Sequence, residues 1–351
     1  MTYRTGLAVI SVIIPVYDRT QFVRRAVRSI ELPDAASEDL ELIVVTNVAL
    51  PPGIFDGLSL QPRVLHSADP SLGGKIAEGA VASKGDVLAF LEDDDLWFPG
   101  KLDRIRQIFE TERDLAYYHN QFRPVDAFDR PLEISLKSPG RTHSRVRDPR
   151  RIDAERVSYP TLRRAILDGL DIGLSSIAVR RSVVLARLDL LRQIRLSVDE
   201  FMCYSALASG GLALDDSQTL TGYRIHDANA MLHRQGLGPE ANSLHAARAA
   251  VVTTFRTDQL LLLHRLGERM PAPVRRSLGC LIAEGQVFID FFSGETRRPL
   301  LARHLHEYLA STSRSDLPYS LILGIFGLSN LLSRRAADII YTGWANSRRL
   351  N

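Results

Sequence analysis

The chain has 351 residues, 45% of them hydrophobic and 24% charged, a balance that supports a large folded core and excludes a disordered or collagen-like polypeptide. A formal charge of only +3 and two cysteines far apart, Cys203 and Cys280, exclude the charge excess of a nucleic-acid binder and a disulfide framework. A reducing cytoplasm is the expected location.

In chain order, the first hundred or so residues alternate as α/β units. AVISVIIPV predicts a strand, QFVRRAVRSI a helix, LELIVV and RVLHS two strands, GGKIAEGAVAS a helix, DVLAFLE a strand and KLDRIRQIFE a helix. The first apolar run has no small-residue cleavage site and runs straight into a turn, so it reads as a strand and not as an export signal. Continuous apolar strands predict a mostly parallel sheet with helices on both faces. Ligands bind beyond the carboxyl ends of such strands, so VIIPVYDR and LAFLEDDD are expected to open on a common crevice.

From Arg141 to Arg156 the basic run RTHSRVRDPRRIDAER is aperiodic and predicts a solvated loop or a basic lid over phosphates. LDIGLSSIAVRRSVV predicts a turn, a strand and a helix. After Gly238, SLHAARAAVVTTFRTDQLLLLHRL, VRRSLGCLIAEGQVFIDFF and RPLLARHLHEYLAS predict three amphipathic helices. The expected organisation is therefore a domain over 1–240 and a helical region over 241–351.

FLEDDDLWFPGKL carries the strongest chemical signal. Glu92, Asp93, Asp94 and Asp95 follow a strand that reads as buried, and like charges placed there call for a bound cation. Hard divalent ions, Mg²⁺ or Mn²⁺, take oxygen ligands and share them with phosphates.

VIIPVYDR, GDVLAFLEDDDLWFPGKL, GLSSIAVRRSVV, the acidic pair in LSVDEFMCYSALASGG and GYRIH resemble, in this order, the family 2 glycosyltransferases of GT-A fold, over about Ala8 to Met231. That family reads Asp, any residue, Asp, Asp, then Trp and Pro, and this chain matches it with Glu92 in the first place. The resemblance implies a Rossmann-like, mostly parallel sheet flanked by helices, to which the helical periodicity of the tail, outside the resemblance, adds an all-α C-terminal extension. It also implies an inverting, metal-dependent transfer of sugar from a nucleoside-diphosphate sugar, UDP-sugar favoured, to a saccharide or lipid-linked acceptor in polysaccharide or glycoconjugate synthesis.

Carried over residue by residue, the resemblance makes Asp94 a metal ligand, turns Glu92 or Asp93 towards the ribose and lets Asp95 orient the loop. Tyr17, with Pro15 and Asp18 beside it, falls where the family packs an aromatic on the nucleotide base. Where the family has a base-binding Asp, this chain has Thr46 and Asn47, with Asp69 as a substitute; Lys75 lies near a usual Arg, ahead of helix amides suited to phosphate. Glu200 and Asp199 share the role of general base, which must take the acceptor proton opposite the leaving diphosphate. They stand in the reverse of the family's order. Arg224 is placed near the diphosphate, and His226, two residues on in a strand-like segment, is placed as a further metal ligand.

No GxxxxGK[ST], GxGxxG after the first strand, HExxH, GxSxG or CxxC is present in the sequence. The substituted Thr46 and Asn47 and the reversed acidic pair also suit a catalytically silent sugar-nucleotide-binding or scaffold protein of the same fold. In the tail, the apolar stripe of Leu317 to Ser333 with Arg334, Arg335, Trp344, Arg348 and Arg349 has three readings: packing on a core, lying on an anionic membrane surface, or forming a homodimer.

Overall fold

The computed structural model describes residues 9–17, 19–30, 39–133, 146–226, 241–293, 298–312, 324–325 and 327–329. Asp18 and nearly all of the tail segment Leu317 to Asn351 lie outside them. The chain divides into two compact units, residues 1–131, 145–155 and 171–224 in one, and 132–144, 156–170 and 225–351 in the other.

The first unit is built on a nine-stranded sheet. Strands β1 (Ile10–Val16), β2 (Leu40–Thr46), β3 (Arg63–His66) and β4 (Val87–Phe90) run parallel in the order β3-β2-β1-β4. All residues of β1 and β4 are buried, as sequences that are apolar but for Ser11 require, and the Ser11 hydroxyl is satisfied by Glu41. Helices α1 (Thr20–Ile30), α2 (Leu72–Ala82) and α3 (Lys101–Thr111) follow β1, β3 and the short β5 (Leu96–Trp97). Helix α1 buries Val23, Ala26, Val27 and Ile30, the i, i+3, i+4, i+7 stripe of its sequence.

Beyond β4 the sheet becomes mixed. Strand β8 (Ile177–Arg180) pairs antiparallel with both β4 and β6 (Leu115–Val125); β6 then pairs parallel with β9 (Leu212–Arg224), which also takes β5 and β7 (Arg150–Asp153) antiparallel. The basic run read as loop or lid thus contributes strand β7. Arg150 reaches Asp215 from it with Nε at 3.0 Å, beside His119 Nδ1 at 3.0 Å from the same carboxyl group, so this charge is spent within the sheet. Strand β9 ends at Arg224, and the alternation expected to carry His226 onto the same face does not continue past it.

The second unit is helical among its described residues. Helix α4 (Tyr159–Asp168) belongs to it with the three helices expected from the sequence, Ala241–Leu266, Ala272–Ser293 and Arg298–Ser311. Leu167, Val252, Cys280, Val287, Phe288, Phe291, Phe292, Leu305 and Tyr308 form one buried cluster. At roughly 1.5–3 kcal/mol for each fully buried large apolar side chain, this cluster accounts for the apolar stripes. Fully buried Arg163 faces Glu284 at 3.5 Å within the same bundle. Among the described residues, no helix is long and apolar enough to cross a membrane.

Candidate active site at the exits of the first and fourth strands

Strands β1 and β4 are neighbours in register, Ile13 opposite Phe90, so the segments that leave them lie side by side. The Tyr17 amide donates to Asp93 Oδ2 at 2.8 Å, tying the two exits together. Pro15 is buried inside β1, opposite Val45.

Asp93, Asp94 and Asp95 are all buried, at 0%, 4% and 2% exposure. The cation that makes this tolerable belongs to the chain. Arg19, two residues beyond Tyr17, places Nη2 2.8 Å from Asp93 Oδ1 and pairs Nη1 with Asp94 Oδ2. Burial opposes the guanidinium charge, but Asp94 and then Asp93 outweigh it and hold Arg19 above its ordinary range.

The carboxylates are shifted up as well, which for them favours the neutral form. Burial pushes Asp93 up to about 6 against the pull of Arg19. Burial and then the Asp94 charge push Asp95 up to about 7, although Ser175 and the Arg224 amide bind it. Glu92 is driven well above the carboxylate range by burial, then by Asp95 and Asp94.

The loop holding the acids is fixed from behind. Arg224 donates its amide to Asp95 Oδ1 at 2.9 Å and Nε to the Asp94 carbonyl at 2.6 Å; it also pairs with Asp129 at 2.6 Å and lies over the Phe22 ring. Arg224 is fully buried, so its contacts hold the backbone of the acidic loop. Lys101 is buried too, with Nζ 2.9 Å from Thr221 Oγ1 and against the Ser175 carbonyl, which also accepts from Trp97 Nε1 at 2.9 Å. Burial holds the Lys101 amine well below its usual value. The turn into α3 needs Gly100, whose φ of 87° lies in the left-handed region.

Lys75 is wholly buried in α2. Its Nζ donates to the Val16 carbonyl at 2.9 Å and sits 3.5 Å from the centroid of the Tyr17 ring. Burial, followed by Glu92, pushes the Tyr17 phenol above its ordinary value, so the ring is a neutral face. Asp69 turns into its own loop, where the Ser71 hydroxyl and then the Ser71 amide, donating at 2.8 Å, hold it below the usual range. Gly74 permits that approach, since a Cβ there would stand 2.1 Å from Asp69 Oδ2. Thr46 Oγ1 is occupied by Val48, and Asn47 is exposed.

The helix Val198–Leu207 brings the acidic pair to the same unit in its first turn. Asp199 is half-buried, accepts from the Gly173 amide at 3.1 Å and contributes to the field that raises Glu92; the neighbouring Glu200 is buried at 3% exposure. The Glu92 amide donates to Ser175 Oγ at 3.0 Å, so the GLSS turn joins both acidic segments. His226 belongs to the other unit.

Among the described residues, no group of three or more His, Cys, Asp or Glu is arranged to hold a metal ion. A cation shared with substrate phosphates needs only one or two protein carboxylates, and the Asp94 carboxylate is a donor of that kind. The donor chemistry fits, with Arg19 on the same oxygens.

Sequence reasoning did not assign Arg19, Ser175 or Gly173. Arg19 stood within VIIPVYDR, but nothing local marks it as the partner of acids 74 and 75 positions away.

Residues 11–181 match the family model described as Glycosyl transferase family 2. An uncharacterised glycosyltransferase of Nostoc sp. strain PCC 7120 is 32% identical over 130 residues, which are 35% of this chain and 39% of the relative. One from Haemophilus influenzae is 24% identical over 42% of this chain and 47% of its own length. The chain therefore spans less than half of each. By structure it is similar to S. aureus TarS residues 1–349 in complex with UDP-GlcNAc, with a TM-score of 0.54 and 12% identity over 97% of this chain and 91% of that one. TarS with UDP gives the same TM-score at 10% identity, and both likenesses confirm the GT-A fold of a mixed α/β sheet with helices after it.

Proposed function

From the glycosyl transferase family 2 domain that residues 11–181 of this chain form, we propose an inverting glycosyltransferase that moves a sugar from a nucleoside-diphosphate sugar to an acceptor hydroxyl. The observation that carries the reading is the junction of Tyr17, Asp93 and Asp94 at two adjacent strand exits, with Asp199 in the same unit. Binding of UDP and UDP-GlcNAc by TarS supports a UDP-sugar as donor.

In this reading the Tyr17 ring, backed by the Lys75 ammonium, is the platform for the base. Glu92 and Asp93 face the ribose, and Asn47 and Asp69 remain candidates for contacts at the base. Asp94 would hold Mg²⁺ or Mn²⁺, which offsets charge on the departing diphosphate. Arg224 acts through the acidic loop it fixes.

Of the acidic pair, Asp199 is the better base because it is half-buried beside Glu92, whereas Glu200 is enclosed. Asp199 takes the acceptor proton as the acceptor oxygen bonds to the anomeric carbon; the bond from that carbon to the diphosphate oxygen breaks, and the nucleoside diphosphate leaves with the electron pair. The acceptor is a saccharide or lipid-linked hydroxyl, and the tail remains a candidate membrane-facing or dimer-forming element.

The test is nucleotide release from UDP-GlcNAc and other nucleoside-diphosphate sugars, with and without Mn²⁺, across saccharide acceptors. Metal-dependent, acceptor-stimulated release supports the reading. Tight UDP binding with no release from any donor would favour a silent nucleotide-sugar-binding protein, an alternative that Arg19 occupying Asp93 and Asp94 also suits.

A further inference from the structure

Arg19 is the residue that the glycosyl-transfer reading leaves without a role. Its guanidinium bridges Asp93 and Asp94, is 18% exposed and lies 5.9 Å from the centroid of the Tyr17 ring, so it stands at the mouth of the site and not beneath it. The Asp94 oxygen it occupies is the oxygen group a divalent cation would need. A monovalent and a divalent cation held by the same carboxylates repel one another, and the repulsion is strong where water is excluded. A planar guanidinium also has a second natural partner at this place, since its fork matches phosphate oxygens bidentately.

We propose that Arg19 competes with the divalent cation for Asp93 and Asp94 and is drawn off by the nucleotide diphosphate, so that metal and nucleotide bind this chain interdependently. Released from the carboxylates, Arg19 pairs with diphosphate oxygens and becomes a positioning residue for the donor. Lys75 cannot take this part, because its ammonium is committed to Val16 and the Tyr17 ring. Arg224 cannot either, being fully buried against the loop backbone. The proposal rests on the nucleotide-sugar reading of the same site. Linkage gives it a measurable form: the factor by which UDP tightens Mn²⁺ equals the factor by which Mn²⁺ tightens UDP.

The experiment titrates the full chain with Mn²⁺, with and without saturating UDP, and follows unbound Mn²⁺ by electron paramagnetic resonance. In the wild type, UDP is expected to tighten Mn²⁺ by about tenfold or more, within the usual range of coupling between sites. Arg19→Gln should bind Mn²⁺ alone several-fold tighter and UDP more weakly, bringing the coupling to about threefold or less. Unchanged Mn²⁺ affinity and coupling in Arg19→Gln would overturn the proposal. Should circular dichroism show that this variant is unfolded, Arg19→Lys decides: it keeps one charge without the fork, and wild-type coupling in it is equally fatal. Metal-dependent sugar transfer by the wild type, with coupling indifferent to Arg19, leaves the glycosyltransferase reading standing and removes only this one. A wild type that binds neither Mn²⁺ nor UDP removes both.

Discussion

The Tyr17 amide is bound to the Asp93 carboxylate at 2.8 Å, across 76 residues of sequence, and this bond sets the position of the aromatic ring relative to the acidic loop. Two strand exits that could move independently are thereby joined into one surface.

Removing that tie should loosen the proposed nucleotide site more than the fold. Asp93→Ala is expected to weaken UDP binding by about tenfold, roughly 1.4 kcal/mol, while Asp93→Asn, which keeps one acceptor oxygen, loses less. Isothermal titration with UDP checks the order of the two variants. Equal affinity in wild type and Asp93→Ala would show that the bond does not position the base platform.

Lys75→Met preserves an unbranched chain but removes the hydrogen bond to the Val16 carbonyl and the ammonium under Tyr17. A loss of about 1 kcal/mol of stability is expected, moderated because a buried charge no longer has to be desolvated, together with several-fold weaker UDP binding. Urea unfolding and UDP titration on the same sample separate the two effects.

The acidic pair Asp199 and Glu200 should divide cleanly. Asp199→Asn is expected to lower kcat by about 10²–10⁴ with donor affinity retained. Glu200→Gln, altering an enclosed side chain, should act chiefly on stability. Initial rates over donor concentration, with thermal unfolding as control, distinguish these outcomes. The reverse pattern would move the general base to Glu200.

The buried carboxylates make stability depend on pH with a definite sign. Asp93 at about 6 and Asp95 at about 7 lie above the unfolded aspartate value of about 3.9, so between these limits the folded chain holds more protons than the unfolded one. Their contribution is fully present below about 4 and is lost as pH rises through about 7. Glu92 acts in the same direction. Urea unfolding of the wild type and of Asp95→Asn between pH 5 and 8 tests this, with a shallower decline expected for the variant.

Much of the first unit was legible because strands β1, β2 and β4 are written as apolar runs interrupted only by Ser11, Glu41 and Thr46, the mark of strands covered on both faces. Strand β6 was not, since LAYYHNQFRPV interrupts its apolar residues with His119, Asn120 and Gln121. Those polar groups are acceptable only because Asp215 and Thr221 on β9 receive them, a partnership separated by about a hundred residues. Strand β7 was hidden for a related reason: its arginines read as solvated loop until Asp215 is placed opposite Arg150.

The sequence alone determined the apolar strands, the four acids at the exit of one of them and the aromatic at the exit of another, because burial and strand ends are written locally in residue type and period. Only the tertiary structure decided which cation meets those acids. Strand order puts β1 next to β4, and this adjacency delivers Arg19 to Asp93 and Asp94, while α2, packed on β1 and β2, brings Lys75 to the Tyr17 ring. A charge pattern records what must be neutralised, but the partner depends on which distant segments the sheet brings within a few ångströms.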